Sequence, residues 1–307
     1  MKIYIIILII LFHKVSYSQS DISKQVNLLM SQIRSGSIIT VDKEKLKISS
    51  NNKELLTVLS KYYTDTLANV RYEALSLSSQ LALNSKDKSL INKSINDLIS
   101  NCIVKNSINN QIVNLLKKYK QTDFSLIELE KIKQVLQLQE SNIGTLSKIY
   151  AFVGKETALT DLNSFLSKQN LSKNDKKDLK LALVRSGDER LANKMLETLK
   201  QQVINDELIY NALPDIIYTK NKLLYQFLLN AILSDSKKCS SANNDDNTPI
   251  ICAYRLIEQV APHINNFPIT INGKGEINSK DLSVTLIDIR KWIIENNNNF
   301  DIITTNY

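Results

Sequence analysis

The chain has 307 residues, 43% of them apolar, with only 6 Gly and 4 Pro and a formal net charge of +8. That apolar share excludes wholesale disorder, and so few Gly and Pro exclude a loop-rich or β-rich protein with many tight turns. The basic residues are interleaved with acids, as in KNDKKD from Lys173 to Asp178. Such mixing fits solvated helix faces and lacks the clustered basic footprint of a nucleic-acid binder.

At the start, Lys2 precedes an apolar run from Ile3 to Phe12, and Ser16 and Ser18 stand three and one residues before a cut ahead of Gln19. This is the layout of a secretory signal peptide over residues 1–18, and the apolar run is too short to span a bilayer. The first Cys is Cys102, so a lipoprotein anchor is excluded. Export to the periplasm or the extracellular space is expected, without a transmembrane segment in the mature chain. Removing residues 1–18 deletes Lys2 and Lys14 and no acid, which lowers the net charge from +8 to +6. Export also separates the protein from the chromosome, a second reason to expect no nucleic-acid partner.

Residues 19–52 read as an N-terminal helix and a linker. Ile22, Val26, Leu29, Met30 and Ile33 have helical spacing over Asp21–Arg34, Ser35-Gly36-Ser37 ends that helix, and 38–52 is the linker. From Glu54 the helical pattern becomes periodic. Unit starts fall near residues 54, 88, 123, 156, 189 and 222, and each interval has room for two helices and two short turns.

In the first unit, Leu55 to Leu83, the second helix places Val70, Ala74, Leu77 and Leu81 on one face. Asp65 lies five residues before Val70-Arg71, and Ala74 three beyond Arg71. This spacing resembles the HEAT-repeat family, in which a turn Asp, a Val-Arg pair and an Ala recur at these positions. The resemblance implies that Asp65 and Arg71 brace successive turns by ionic hydrogen bonding while Val70 and Ala74 pack between helices. The stretch from Asp178 to Leu199 resembles the same family at its Gly-Asp turn. There Gly187 suits a left-handed helix end and Asp188 caps the next helix. The implied fold is all-α, a right-handed α-solenoid of antiparallel helix pairs over residues 53–265. Pro214 either distorts the fifth unit or marks the first turn of a helix.

Cys239 and Cys252 flank a polar loop and, in an oxidising compartment, are expected to form a disulfide. Cys102 reads as a buried small hydrophobe. Residues 266–307 are expected to form a capping element and a frayed tail. Phe267–Ile277 signals a hairpin around Asn272-Gly273, and a helix from Ser279 to Glu295 buries Leu282, Leu286, Ile289, Trp292 and Ile293.

The residue types for catalysis are scarce. His263 is the single His left after export and reads as a helix-end residue. Zinc ligands are too few, and no Gly-rich phosphate loop is present. Thr270–Asp281 has the length of a calcium loop, but Lys274 would stand at a ligand position, so it reads as a turn. Asp245 and Asp246 lie in a polar loop that reads as solvated. Glu128 and Glu130 point to different helix faces. Tyr62, Tyr63, Tyr72, Tyr150, Tyr210, Tyr218 and Tyr225 recur along the repeats, most of them as packing and an exposed subset as interface anchors.

These features favour an exported, non-catalytic scaffold that binds a protein or peptide and needs no cofactor or metal. A carboxylate-dependent hydrolase and a structural component of an envelope assembly are the competing readings.

Overall fold

The computed structural model of the protein describes residues 22–47, 52–102, 108–138, 143–167, 171–241, 248–296 and 299–307. The expected signal peptide with its cut after Ser18, and the Asp245-Asp246 loop, lie outside the described residues. Within them the secondary structure is helical, and β-pairing is confined to the isolated bridges Cys239–Ile250, Ile264–Ile302 and Ile271–Ile277. No described helix is long and apolar enough to cross a membrane. The chain divides into two compact units, Met1–Glu140 and Ser141–Tyr307.

The first unit contains α1 (22–35), α2 (Lys43–Lys47), α3 (Asn52–Ser60), α4 (Ala68–Asn84), α5 (Lys88–Cys102), α6 (Asn109–Leu116) and α7 (Leu126–Leu138). Helix α1 buries Val26, Leu29 and Met30 completely, as its apolar spacing requires. The expected linker is not wholly irregular, because α2 forms within it. Asp42 Oδ1 accepts from the Glu44 and Lys45 amides at 3.1 and 3.3 Å, Leu46 is buried, and Lys43 pairs with Glu73 on α4 at 2.6 Å. A local cap and one apolar anchor suffice for a helix of five residues. Helix α4 packs on α3, α5 and α6, and α5 also packs on α6 and α7.

The second unit contains α8 (Ile143–Gly154), α9 (Leu159–Leu166), α10 (Lys173–Arg185), α11 (Glu189–Lys200), α12 (Asp206–Asn211), α13 (Leu213–Thr219), α14 (Lys222–Ile232), α15 (Ala253–Val260) and α16 (Leu282–Glu295). A 3-10 turn, Lys155–Ala158, links α8 to α9. The unit starts read from periodicity fall within three residues of the starts of α3, α5, α7, this 3-10 turn, α11 and α14. Pro214 stands in the first turn of α13, where its missing N–H has no helical partner to lose, and α12 and α13 are two short helices divided at Ala212.

Helices α8, α10 and α13 run parallel and in step. Near their starts the Gly144 amide donates to Asp175 Oδ1 at 2.8 Å. Midway, Lys148 lies 3.5 Å from Asp178 and 3.7 Å from Asp215. At their ends Phe152, Arg185 and Tyr218 meet. A Cβ on Gly144 would come within 2.7 Å of Asp178 Cβ and 2.8 Å of Asp175 Cα, so only Gly allows so close a crossing of α8 and α10. Helix α11 in turn packs on α14, and α14 on α15 and α16.

The C-terminal segment departs from expectation in three ways. Asn272 organises a tight turn, its Oδ1 accepting from Lys274 and Glu276 amides at 2.8 and 3.1 Å, but the flanking residues pair only at Ile271–Ile277. Helix α16 starts one turn late because Asp281 caps it; Leu282 is 46% exposed, and Trp292 is half-buried against Phe267 while Leu286, Ile289 and Ile293 face inward. The segment 299–307 is docked rather than frayed. Phe300 is buried, the Asn265 amide donates to Asp301 O, and the Ile303 amide donates to His263 O, each at 2.9 Å. Its aromatic residues supply the anchoring that its polar composition conceals.

Candidate functional site

A pocket of about 270 Å³ opens where α8, α10 and α13 end. Its wall comprises Phe152 from α8, Lys155 and Glu156 from the 3-10 turn, Arg185 at the end of α10 with Ser186 and Gly187 just after it, Lys220 after α13, and Thr304 of the docked tail. The α10 end is fixed by local sequence. Gly187, at φ +101°, donates its amide to Val184 O, and the Asp188 amide donates to Leu183 O. This pair of bonds is the Schellman arrangement, which needs a residue without Cβ strain at the left-handed position. Asp188 then accepts from the Leu191 amide at 2.9 Å and starts α11. The Gly-Asp turn thus has its expected local geometry, and it also forms one wall of the pocket.

Two other wall residues occupy left-handed backbone without being Gly: Lys155 at φ 47° and Lys220 at φ 51°. Each costs about 1–2 kcal/mol relative to a residue free of Cβ strain. Between them stands Arg185. Its Nη1 donates to Tyr218 O at 2.6 Å and its Nη2 to Asn306 O at 3.0 Å. The guanidinium carbon lies 4.9, 4.8 and 5.8 Å from the ring centres of Phe152, Tyr218 and Tyr307. Ring faces attract a cation, and carbonyls accept its protons, but neither removes its net charge. Burial holds the Arg185 pKa below its ordinary value.

Lys220 Nζ is 2.9 Å from His263 Nδ1. Burial first, and then Arg185, lowers the Lys220 pKa from 10.5 to about 7. Burial, Lys220 and Arg185 together lower that of His263 from 6.5 to about 4. His263 is therefore a neutral partner in a cationic cluster as well as a helix-end residue. The Ser186 hydroxyl, buried in the same wall, has no hydrogen-bond partner among the described residues. The one acid in the wall is Glu156, which is exposed. The arrangement can bind and orient an anion; it lacks the paired acids of carboxylate catalysis.

The other residues singled out in the sequence lie elsewhere. Val70 and Ala74 are fully buried in α4. Arg71 Nη1 donates to the backbone carbonyls of Asp65 and Thr66 at 2.6 and 3.1 Å, while the Asp65 carboxylate pairs with Arg34 of α1. The Leu67 amide is the largest influence holding the Asp65 pKa below its usual value. Arg71 thus braces the turn through the main chain, since the carboxylate is already taken. Cys239 and Cys252 form a disulfide beside the Cys239–Ile250 bridge. Cys102 is buried, and burial pushes its thiol up to about 12, where it is unreactive at neutral pH. Glu128 is buried and Glu130 exposed. Tyr63, Tyr150, Tyr218 and Tyr225 are buried, Tyr62 and Tyr72 half-buried, and Tyr210 is 58% exposed.

Sequence reading missed Lys155, Arg185 and Lys220. Their separations are 30 and 35 residues, and each ends or follows one of the helices α8, α10 and α13. A cation recurring at the end of a helix with this spacing is the signal that finds them. Comparison of the chain with family models, curated proteins and solved structures gives no match.

Proposed function

We propose that the protein is an exported, non-catalytic recognition scaffold, a right-handed α-solenoid of HEAT-like helix pairs that binds a protein or peptide partner. The observation that carries this reading is the row of parallel second helices α8, α10 and α13, held in step by Gly144–Asp175, Lys148–Asp178 and Arg185–Tyr218 contacts. Repeats stacked in register present side chains at regular intervals, which suits an extended partner. Packing of α4 on α6, α5 on α7 and α11 on α14 supports the same succession of pairs within each unit. The Cys239–Cys252 disulfide supports an oxidising compartment and hence export. The step from helical repeats to recognition is one of fold-level analogy.

One observation favours assembly into an envelope structure instead. Helix α16 turns Val284, Ile287 and Ile294 to solvent, at 54, 66 and 67% exposure, an apolar stripe on its outer face. Cross-linking and affinity capture from envelope and secreted fractions at native expression level test the two readings together. Recovery of a distinct partner at stoichiometric yield is the expected result. Recovery of only further copies of the same chain would favour assembly, and a blank alongside a working control complex would remove the scaffold reading.

A further inference from the structure

We propose that the pocket at the ends of α8, α10 and α13 binds a small ligand through an oxyanion, a carboxylate or phosphate group held by Lys155, Arg185 and Lys220. The site goes beyond the recognition scaffold and does not depend on it.

The first ground is charge. Elsewhere in the second unit, half-buried cations have acids: Lys148 has Asp178 and Asp215, Arg255 has Glu258 at 3.3 Å, and Arg290 has Asp235 at 2.8 Å. Arg185 and Lys220 have no acid partner among the described residues; their neighbours are carbonyls, rings and the His263 nitrogen. Lys155, Arg185 and Lys220, the last only partly protonated at neutral pH with its pKa of about 7, face a cavity whose only lining acid is Glu156. The second ground is backbone strain. Of the three non-Gly residues with positive φ among the described residues, two are these lysines. Gly or Asn would occupy both positions more readily, so lysine is retained there against a conformational cost. A volume of about 270 Å³ holds an oxyanion with a small organic body, and Phe152 offers that body an apolar wall.

A structural role for the cations competes with this. All three stand at helix C-termini, where positive charge offsets the helix dipole. The dipole's effect is local and partial, worth less than a full charge per helix, and it gives no reason to place lysine on left-handed backbone. The two roles differ in what happens when the lysines are removed. Lys155→Gly and Lys220→Gly relieve the strain and delete the charges.

Titration calorimetry of the folded protein at low chloride, with phenyl phosphate and with benzoate as probes, reads the binding, and thermal unfolding of the same samples reads the stability. Expected are saturable binding of at least one probe, about tenfold weaker in each Lys→Gly variant, and a melting temperature unchanged or raised in the free variants. Preference for phenyl phosphate assigns the phosphate, and preference for benzoate the carboxylate. Binding that is equal in the wild type and the double variant would overturn the proposal. So would no saturable heat from either probe, or wild-type binding too weak to saturate together with a lowered melting temperature in both variants. Partner capture that is indifferent to these probes leaves the scaffold reading standing whichever way the titration falls.

Discussion

Two clusters of buried polar groups, one in each unit, are completed to different degrees. In the first, donors and acceptors close on one another across helices. Tyr119 shares a hydrogen bond with Ser94 at 2.9 Å and donates to Ser79 Oγ at 3.1 Å, and Tyr63 donates to Ser78 at 2.7 Å. Glu128 of α7 accepts from the Ser125 amide at 2.8 Å and from the Ser125 hydroxyl and Asn96 side chain. Burial is the largest influence on Glu128 and pushes its pKa up, yet these hydrogen bonds together bring it below the usual carboxylate range. In the second unit, Arg185 and Lys220 line open space with no acid partner among the described residues. Satisfied networks lock helices in place; unsatisfied ones are where a further molecule can act.

Breaking the closed network should give the largest effect. Glu128→Ala strands the Asn96 amide and the Ser125 cap between α5 and α7, and is expected to lower stability by about 3 kcal/mol in urea unfolding. Tyr119→Phe removes one hydroxyl but leaves Ser79 and Ser94 near each other, so about 1 kcal/mol is expected by the same measurement. Without charge in play, its loss should be independent of pH between 5 and 8.

The open cluster should show itself through pH more than through contact loss. Lys220 has a folded pKa of about 7 against 10.5 when unfolded, so between these values the unfolded chain binds more protons. Stability should therefore rise with pH from about 7 to 10.5 through this group, and Lys220→Gly should flatten that rise. His263, lowered from 6.5 to about 4, adds a loss of stability as pH falls through that window. Glu128, with its pKa depressed, contributes stability that is present above its unfolded pKa and lost in stronger acid. Unfolding midpoints across pH 4–10 for the wild type and Lys220→Gly check the Lys220 and His263 signs, and extending the wild-type series to about pH 2 checks that of Glu128.

Much of the helical succession was legible because periodic apolar positions and local stop signals act over a few residues. Gly187-Asp188 announces both the end of α10 and the start of α11. Helix α2 was not legible, since its one core contact, Leu46, gives no period. The docked tail was missed because its pairing joins Ile302 to Ile264, and a polar sequence does not reveal that Phe300 will be covered. The pocket was missed for a related reason: Lys155, Arg185 and Lys220 each look like an ordinary helix-end cation, and only the side-by-side packing of α8, α10 and α13 brings them to one cavity. Periodicity reports which faces are buried; it does not report which stations coincide.

The docked segment 299–307 has a further consequence. A protease must draw several residues into an extended, unpaired strand before it can cut. Here the backbone at Asp301, Ile303 and Asn306 is already engaged by Asn265, His263 and Arg185. The segment is thus shielded by main-chain pairing. Arg185 grips Asn306 while lining the pocket, so one side chain ties this strap to the cavity wall.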